Sequence, residues 1–470
     1  MRIACLHLPQ FALQCVTRID PALRGAAVAV VGSGHDPVSG LSPGSDGTTS
    51  FRVALHSPVV QACSRAAYAL GVRVGMTATA ARAASPEIKV IAADATLERE
   101  TVRALADALL SATPVVDVGG RVGSGGAHLA MYCEVPTKTR GTSFGDRLLQ
   151  KLDALGMTAR IGIADDRFTA WVAAWGAGTF DRTGPKPSGR GPAEVTNDGR
   201  LGSDDNDVIV SVPRGGSAAF LAPLPLSLLS ISPEVQHMLE ALGVRTLGEF
   251  AALPAPSVTR PLEADYQALA RGDSGSHLRA YVPEAPIREE LVIGGAVGTP
   301  ATPTAAPSAP AAVALLAERV ALRLAGRARG AARLEVTASG ADGERVIPIT
   351  SLSSARPLLS TAEELAEAIG TALHEGHPWR LKVSVTGEAI AGDDTATVNT
   401  LADDADRVDA LSLVLSTTGA VELAFGSSAL GSAAQHDRSD RKSYRRTRRG
   451  KQRRRGEAAA ELIQPRLFKL

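Results

Sequence analysis

Short apolar runs alternate with helical patterns through the first 180 residues of the chain. Runs that end in turn residues predict strands, and apolar side chains repeating every three to four positions predict helices. The predicted strands are 2–8, 26–31, 115–118, 128–135 and 158–163, and the predicted helices are 58–70, 95–110, 144–155 and 166–175. This alternation is typical of an α+β fold in which helices cover a sheet.

The second half of the chain has a different pattern. Residues 181–218 are rich in Gly, Pro, Asp and Ser and predict a linker, and residues 219–272 predict a compact helical region. The following elements are strand 288–294, helix 311–329, strands 332–338 and 344–350, helix 360–375 and strand 380–387. This order predicts a small βαββαβ module.

Positive charge is concentrated near the end of the sequence. Residues 438–455 hold eleven Lys or Arg and one acid, Asp440, so the net charge of +1 leaves about −9 for the rest. Residues 391–470 contain too few apolar side chains to bury much surface, which predicts a mostly disordered tail. Two interpretations of the basic run stay open: a solvated linker, or a nonspecific nucleic-acid contact. In the second, phosphates would meet Arg445, Arg446, Arg448 and Arg449.

Composition excludes several classes of protein. With 44% hydrophobic and 21% charged residues, the chain has the composition of a globular protein. The four cysteines are far apart, with no CxxC pair, which argues against both a disulfide framework and a zinc site. No apolar run reaches the roughly 18 residues of a membrane span, and no targeting segment is apparent. We therefore expect a cytoplasmic, nucleoid-associated protein without a membrane partner.

Several segments, in order, carry a family resemblance over roughly residues 1–390. They are 3–12 (IACLHLPQFA), 66–76 (AAYALGVRVGM), 158–164 (TARIGIA) with 168–170 (FTA), 224–226 (LPL) and 239–246 (LEALGVRT). Together they resemble the Y-family (UmuC/DinB-like) translesion DNA polymerases. The resemblance implies an α+β multidomain fold like a right hand, with a βαββαβ little finger and a disordered basic C-terminal tail.

The resemblance also implies domain boundaries. The palm would comprise residues 1–12 and 78–180, and the fingers residues 13–77. A linker (181–218), a helical thumb (219–280), the little finger (285–390) and the tail (391–470) would follow.

The metal-binding carboxylates of such polymerases have no counterpart in this sequence. Phosphoryl transfer to a primer end uses two divalent cations, and hard cations need carboxylate oxygens. In the resemblance, the carboxylate positions fall on Leu6, Leu8, Leu129 and Ala130. We therefore predict no catalytic residue, no metal site and no cofactor.

In one alternative, the protein is an active enzyme. Asp117 or Glu134 could be displaced into a rebuilt site, which would then hold Mg²⁺. Asp165 and Asp166 form the first adjacent acidic pair, and we interpret them as acids at the start of a helix.

Further positions correspond to the family's nucleotide and DNA contacts. Phe11, Arg65 and Tyr68 correspond to remnants of its nucleotide site, although Phe11 without metals is expected in the core. His7, His128, Trp171 and Trp175 are also predicted to be core residues. For DNA, the sequence offers Ser230 and Ser232 in the thumb hairpin and Arg323, Arg327 and Arg333 in the little finger.

A polymerase scaffold without carboxylates, followed by a tail, resembles the ImuB-type mutasome proteins. That resemblance implies primer-template DNA, the replicative sliding clamp, an error-prone C-family DNA polymerase and a RecA-like accessory protein as partners. Gln464, Leu467 and Phe468 form a terminal QxxLF peptide like those that dock on the clamp, where Leu and Phe would enter an apolar pocket. The expected function is a non-catalytic adaptor in damage-induced mutagenic synthesis. The alternatives are an active translesion polymerase and a general DNA-binding interaction protein.

Overall fold

A computed structural model describes the greater part of the chain up to residue 400. The described residues are 1–32, 58–122, 127–137, 139, 141–176, 180–181, 184–185, 209–229, 231–254, 266–274, 277–283, 285–293, 307–340, 343–350, 358–373, 378–390 and 399–400. Residues 1–401 form one compact unit. The second unit, 402–470, lies outside the described residues.

We call residues 1–12 and 78–180 the palm, 219–280 the thumb and 285–390 the little finger, as predicted from the sequence. The palm sheet has five strands. They are β1 (Ile3–Leu8), β5 (Val116–Val122), β6 (His128–Glu134), β7 (Arg160–Ala164) and β10 (Ile209–Ser211), arranged in the order β10-β7-β1-β6-β5. The central strand β1 is buried along its whole length and pairs antiparallel with both β6 and β7. The edge strand β10 pairs parallel with β7 and lies inside the segment predicted to be a linker.

Helices pack on both faces of this sheet. Helices α4 (Ala95–Leu110) and α5 (Gly141–Ala154) share one core with its first face, which we call the helix-backed face. Helix α6 (Arg167–Gly176) packs on the opposite face, which we call the thumb-side face. The close contact with α6 depends on Gly162, because a Cβ there would lie 2.0 Å from the backbone oxygen of Ala170.

The predicted fingers contain a small three-stranded sheet. Its strands are β2 (Val28–Gly32), β3 (Val59–Cys63) and β4 (Lys89–Ala92), in the order β3-β2-β4. The surrounding helices are α1 (Phe11–Ile19), the short 3₁₀ helix Pro21–Leu23, α2 (Arg65–Ala69) and α3 (Ala78–Ala84).

The predicted helix over 58–70 is wrong in its first half. Val59 and Val60 are β-branched and begin β3, which pairs antiparallel with β2. The helix starts later, where the hydroxyl of Ser64 accepts a hydrogen bond from the N–H of Ala67.

The thumb is a set of short helices. They are α7 (Ser217–Leu221), the 3₁₀ helix Leu226–Leu228, α8 (Pro233–Ala241), α9 (Leu247–Ala252) and α10 (Tyr266–Ala270). A capping box between Thr246 and Glu249 fixes the start of α9. Apolar thumb residues such as Phe220 and Phe250 share a core with the thumb-side face of the palm sheet.

The little finger has the predicted βαββαβ order. Its elements are β11 (Arg288–Val292), α11 (Ala309–Arg327), β12 (Arg329–Gly340), β13 (Gly343–Thr350), α12 (Ala362–Ala372) and β14 (Arg380–Ile390). The sheet order is β11-β14-β12-β13, and the short strand β15 (Asn399–Thr400) pairs with β14. Both helices share a core with one face of the sheet. Two further short strands, β8 (Phe180–Asp181) and β9 (Gly184–Pro185), pair with each other.

The α+β multidomain fold class is confirmed. All four cysteines are free and buried. In the part of the chain that the structure describes, no helix combines the length and the apolar character needed to span a bilayer.

Candidate functional site

Three of the four positions assigned to missing carboxylates face away from the thumb. Leu6, Leu8 and Leu129 are fully buried in the core beneath the helix-backed face. Because strand side chains alternate between faces, their neighbours His7 and Ala130 lie on the thumb-side face. The positions assigned from the resemblance therefore lie on both faces of the sheet, and at this end of β1 it is His7 that faces the thumb side.

The thumb-side face at this end of the sheet carries imidazoles. The rings of His7 and His128 lie 5.0 Å apart between centroids. The N–H of Gln10 donates to Nδ1 of His128 at 3.2 Å, which leaves the proton of a neutral ring on Nε2. Neither ring nitrogen of His7 has a hydrogen-bond partner among the described residues. Both histidines are buried, as predicted.

Burial keeps these imidazoles neutral. It lowers the pKa of His7 to about 3, with His128 and Arg160 lowering it further, and lowers the pKa of His128 to about 4, again with help from Arg160. The charged neighbour is therefore a guanidinium rather than a carboxylate. Hard divalent cations prefer carboxylate and carbonyl oxygens, so this end of the face suits Mg²⁺ poorly.

Asp117, the first candidate for a rebuilt metal site, is committed to other partners. Its carboxylate accepts from Nη1 of Arg167 at 2.9 Å and from the backbone N–H groups of Gly119 at 2.8 Å and Arg279 at 3.0 Å. Arg167 also stacks 4.0 Å over the ring of Tyr132. A cation at Asp117 would have to displace this arginine.

Glu134, the second candidate, lies at the far end of the sheet. It is paired with Ile3, whereas Ala130 is paired with His7, four residues further along β1. At about 3.4 Å per residue, the separation along the strand is about 14 Å. Within the described residues, no cluster of three or more His, Cys, Asp or Glu could hold a metal ion.

Asp166 has the structural role expected of an acid at a helix start, whereas Asp165 binds Gly215 and pairs with Arg2. Oδ1 of Asp166 accepts from the N–H of Thr169 at 2.9 Å, which caps the first turn of α6. Oδ2 of Asp165 accepts from the N–H of Gly215 at 2.6 Å. Burial raises the pKa of Asp166 despite its hydrogen bonds to Thr169.

The three residues proposed as nucleotide-site remnants are not brought together as an open site. Phe11 is fully buried in the core of the helix-backed face, as expected from the sequence in the absence of metals, and it therefore cannot contact a nucleotide. The guanidinium of Arg73 lies 3.6 Å from the ring centroid of Tyr68 and covers that ring. Arg65 is exposed at the start of α2.

Two of the three arginines proposed to contact DNA in the little finger are buried. Arg323 is fully buried and its guanidinium pairs with Asp107 and Glu289. Arg327 pairs with Asp107 and Glu388. The prediction of DNA contacts by Arg323 and Arg327 is therefore wrong, because their donors are used inside the protein.

The face of the little-finger sheet opposite its helices, which we call the open face, carries exposed basic residues. Leu334 points into the core, so its neighbour Arg333 lies on the open face. Arg333 is exposed there. The same face carries Arg288, Arg380 and Lys382, which were not predicted from the sequence. The alternation of Arg380, Lys382 and Ser384 along β14 was the available signal. Arg380 is partly neutralised by an ion pair with Glu290.

The remaining predicted contacts have mixed outcomes. Ser232 is exposed and caps α8, where its Oγ accepts from the N–H of Val235 at 3.4 Å. The predicted contacts outside the described residues are Ser230, Arg445, Arg446, Arg448, Arg449, Gln464, Leu467 and Phe468.

Part of the chain is similar to known proteins. Residues 6–175 match the profile of the IMS: impB/mucB/samB family. The chain is similar to the DNA polymerase IV of two strains of Dehalococcoides mccartyi. One is 27% identical over 199 residues and the other 28% identical over 203 residues, in both cases 42% of this chain and 43% of the relative. The match therefore spans less than half the length of these relatives.

Similar solved structures include DinB from Sulfolobus solfataricus, at 13% identity and a TM-score of 0.41, covering 83% of this chain and 100% of that one. The insertion ternary complex of Dbh DNA polymerase has 13% identity and a TM-score of 0.42, covering 82% and 98%. Over residues 6–175 the chain is therefore similar to the impB/mucB/samB family, and over 42% of its length it is similar to DNA polymerase IV.

Proposed function

We propose that this protein is a non-catalytic Y-family homologue that binds primer-template DNA and the replicative sliding clamp during damage-tolerant, mutagenic synthesis. One observation supports it above the others. Beside His7 on the thumb-side face lie Ala130, His128 and Arg160, and none of these side chains is a carboxylate that could hold the two cations of a polymerase.

An active polymerase would need Asp117 or Glu134 to move into the metal site. The carboxylate of Asp117 would have to leave Arg167 and two backbone N–H groups. Leaving a buried polar group without its hydrogen-bond partners typically costs about 1–3 kcal/mol, and more for a charged group. The scaffold function needs no such rearrangement.

The open face of the little finger supports DNA binding. Arg333 and Lys382 are exposed there on neighbouring strands, and exposed cations aligned on a sheet can neutralise phosphates. Each phosphate contact contributes to affinity without reading sequence. The proposed protein therefore holds DNA by its backbone.

This contact can be tested by fluorescence anisotropy with a primer-template duplex. Arg333→Ala and Lys382→Ala should each weaken binding several-fold and make the slope of log affinity against log salt shallower by about one. Arg147→Ala on α5, exposed on the helix-backed side of the palm, is the matched control and should leave the slope unchanged. Equal slopes for all four proteins would contradict this DNA surface.

The tail supplies the proposed clamp contact. Gln464 would donate and accept hydrogen bonds while Leu467 and Phe468 enter an apolar pocket. By the same family resemblance, the C-family polymerase and the RecA-like protein would assemble on the DNA-bound scaffold.

A clamp pull-down tests the tail directly. The double variant Leu467→Ala/Phe468→Ala should lose most of the clamp that the wild type recovers, while Leu470→Ala is a control at the terminus. Equal recovery by wild type and double variant would remove the clamp from the proposal and favour a general DNA-binding protein.

A further inference from the structure

Three arginines of α11 form a stripe that faces the palm instead of solvent. Arg319, Arg323 and Arg327 are spaced four residues apart and therefore lie on one side of the helix. Arg319 and Arg323 are among the largest fully buried side chains of the described residues. A charged stripe buried at this depth requires compensating charges from whatever packs on it.

Asp107 of α4 is the centre of that compensation. Nε of Arg323 donates to its carboxylate at 2.9 Å, and Arg327 donates from Nε at 3.0 Å and Nη2 at 2.9 Å. The hydroxyl of Tyr281 donates at 3.2 Å. One palm carboxylate, with 0% exposure, thus binds two little-finger arginines at once.

Two acids of the little-finger sheet complete the network. Glu289 on β11 accepts from Nη1 of Arg323 at 3.0 Å and pairs with Arg18 of α1. Glu388 on β14 accepts from Arg327 at 2.6 Å. Burial alone would raise the pKa of Glu289, but Arg18 and Arg323 outweigh it and hold the pKa below its usual value, so this carboxylate stays ionised.

The network connects parts of the chain that are distant in sequence. Arg18 and Asp107 come from the N-terminal half, and the remaining members come from residues 281–388. Arg319 adds a link that needs no acid, because it donates to the backbone carbonyl of Arg18 at 3.2 and 3.3 Å. Contacts therefore run from the little finger to both α1 and α4.

A steric feature supports the same docking independently of charge. Gly326 lies where α11 passes α4, and a Cβ there would be 1.7 Å from the carbonyl oxygen of Asp107. Any side chain larger than hydrogen would push the two helices apart. The close approach brings Asp107 within reach of both guanidinium groups.

We propose that this buried charge network, centred on Asp107, is a latch that fixes the little finger on the palm before any DNA is bound. Removing one member of the network leaves a buried charge without a partner, which is unfavourable. Partial movement of the little finger away from the palm is therefore unfavourable too, and the two parts move as one body. Buried ion pairs are screened far less by salt than exposed ones. The open face of the little-finger sheet is thereby presented in one orientation, and a ligand meets a preorganised surface.

The latch is a property of the free protein and can be tested without DNA. Cysteines introduced at the exposed positions Gln150 of α5 and Glu367 of α12 would carry spin labels, since the four native cysteines are buried. Pulsed dipolar spectroscopy on the full chain should give a single narrow distance distribution, unchanged between about 0.1 M and about 1 M NaCl. A broad distribution in the wild type, or a shift at high salt, would overturn the proposal.

A variant pair separates the latch from general surface charge. Asp107→Asn keeps the side-chain volume and removes the shared charge, so the narrow distance should be lost or joined by a second population. Arg103→Gln, which breaks the partly exposed pair with Glu100 on the same helix, should leave the distribution unchanged. An unchanged narrow distance in Asp107→Asn would overturn the latch, and the wild-type salt measurement decides the matter if that variant does not fold.

Discussion

His7 and His128 are buried imidazoles that set the charge of the thumb-side face at their end of the sheet. Both pKa values are lowered, to about 3 and about 4, chiefly by burial, so the folded protein holds neutral rings. Unfolded histidine has a pKa of about 6.5. Between the folded and unfolded values the unfolded chain binds more protons, so stability is complete above about pH 6.5 and falls as the pH is lowered.

We predict that acidification to pH 5 removes about 2 kcal/mol of unfolding free energy per buried imidazole. The measurement is urea unfolding at pH 7 and pH 5. His7→Leu, of similar volume, should lose about 2 kcal/mol less unfolding free energy on acidification than the wild type, because one titrating imidazole is gone. The substitution breaks no hydrogen bond to the described residues. His237→Gln changes an exposed thumb histidine and is the control. A loss in His7→Leu as large as in the wild type would contradict the assignment.

At the scale of elements, the alternation of side chains along β1 determines which of them face the thumb. Leu6 lies in the core against α4 and α5, whereas Leu70, at the end of α2, is 38% exposed. Leu6→Ala should lower the free energy of unfolding by about 2–5 kcal/mol, since it leaves a cavity in a packed core. Leu70→Ala should change it by less than about 0.5 kcal/mol. Urea unfolding of both variants checks this, and similar losses would mean that Leu6 is not packed as described.

Periodicity predicted long elements well and short ones poorly. The apolar face of α4 and the capping Asp94 are local signals, and the helix was predicted at 95–110, where it occurs. By contrast, β3 was read as helix, because its strand conformation depends on pairing with β2. Strand β10 has three residues in a Gly- and Asp-rich segment, so its pairing with β7 left no usable pattern.

At the scale of the whole molecule, the error over Arg323 and Arg327 has a clear physical cause. A stripe of arginines on a helix has the same sequence pattern whether it meets DNA or a buried acid. Its partner Asp107 is 216 residues away from Arg323, and no local pattern connects the two. The assignment of carboxylate positions depends on a resemblance along two adjacent strands, and it stays a prediction. Burial and strand pairing show that His7, between two of those positions, faces the thumb side.

Incorporation of nucleotides on a primer-template is the most direct test of the central claim that the scaffold binds DNA but does not copy it. Purified wild-type protein, shown by anisotropy to bind the same duplex, should extend no primer with Mg²⁺ or Mn²⁺, because neutral imidazoles and an Asp117 paired with Arg167 bind these cations poorly. Extension that is abolished by Asp117→Ala would contradict the claim.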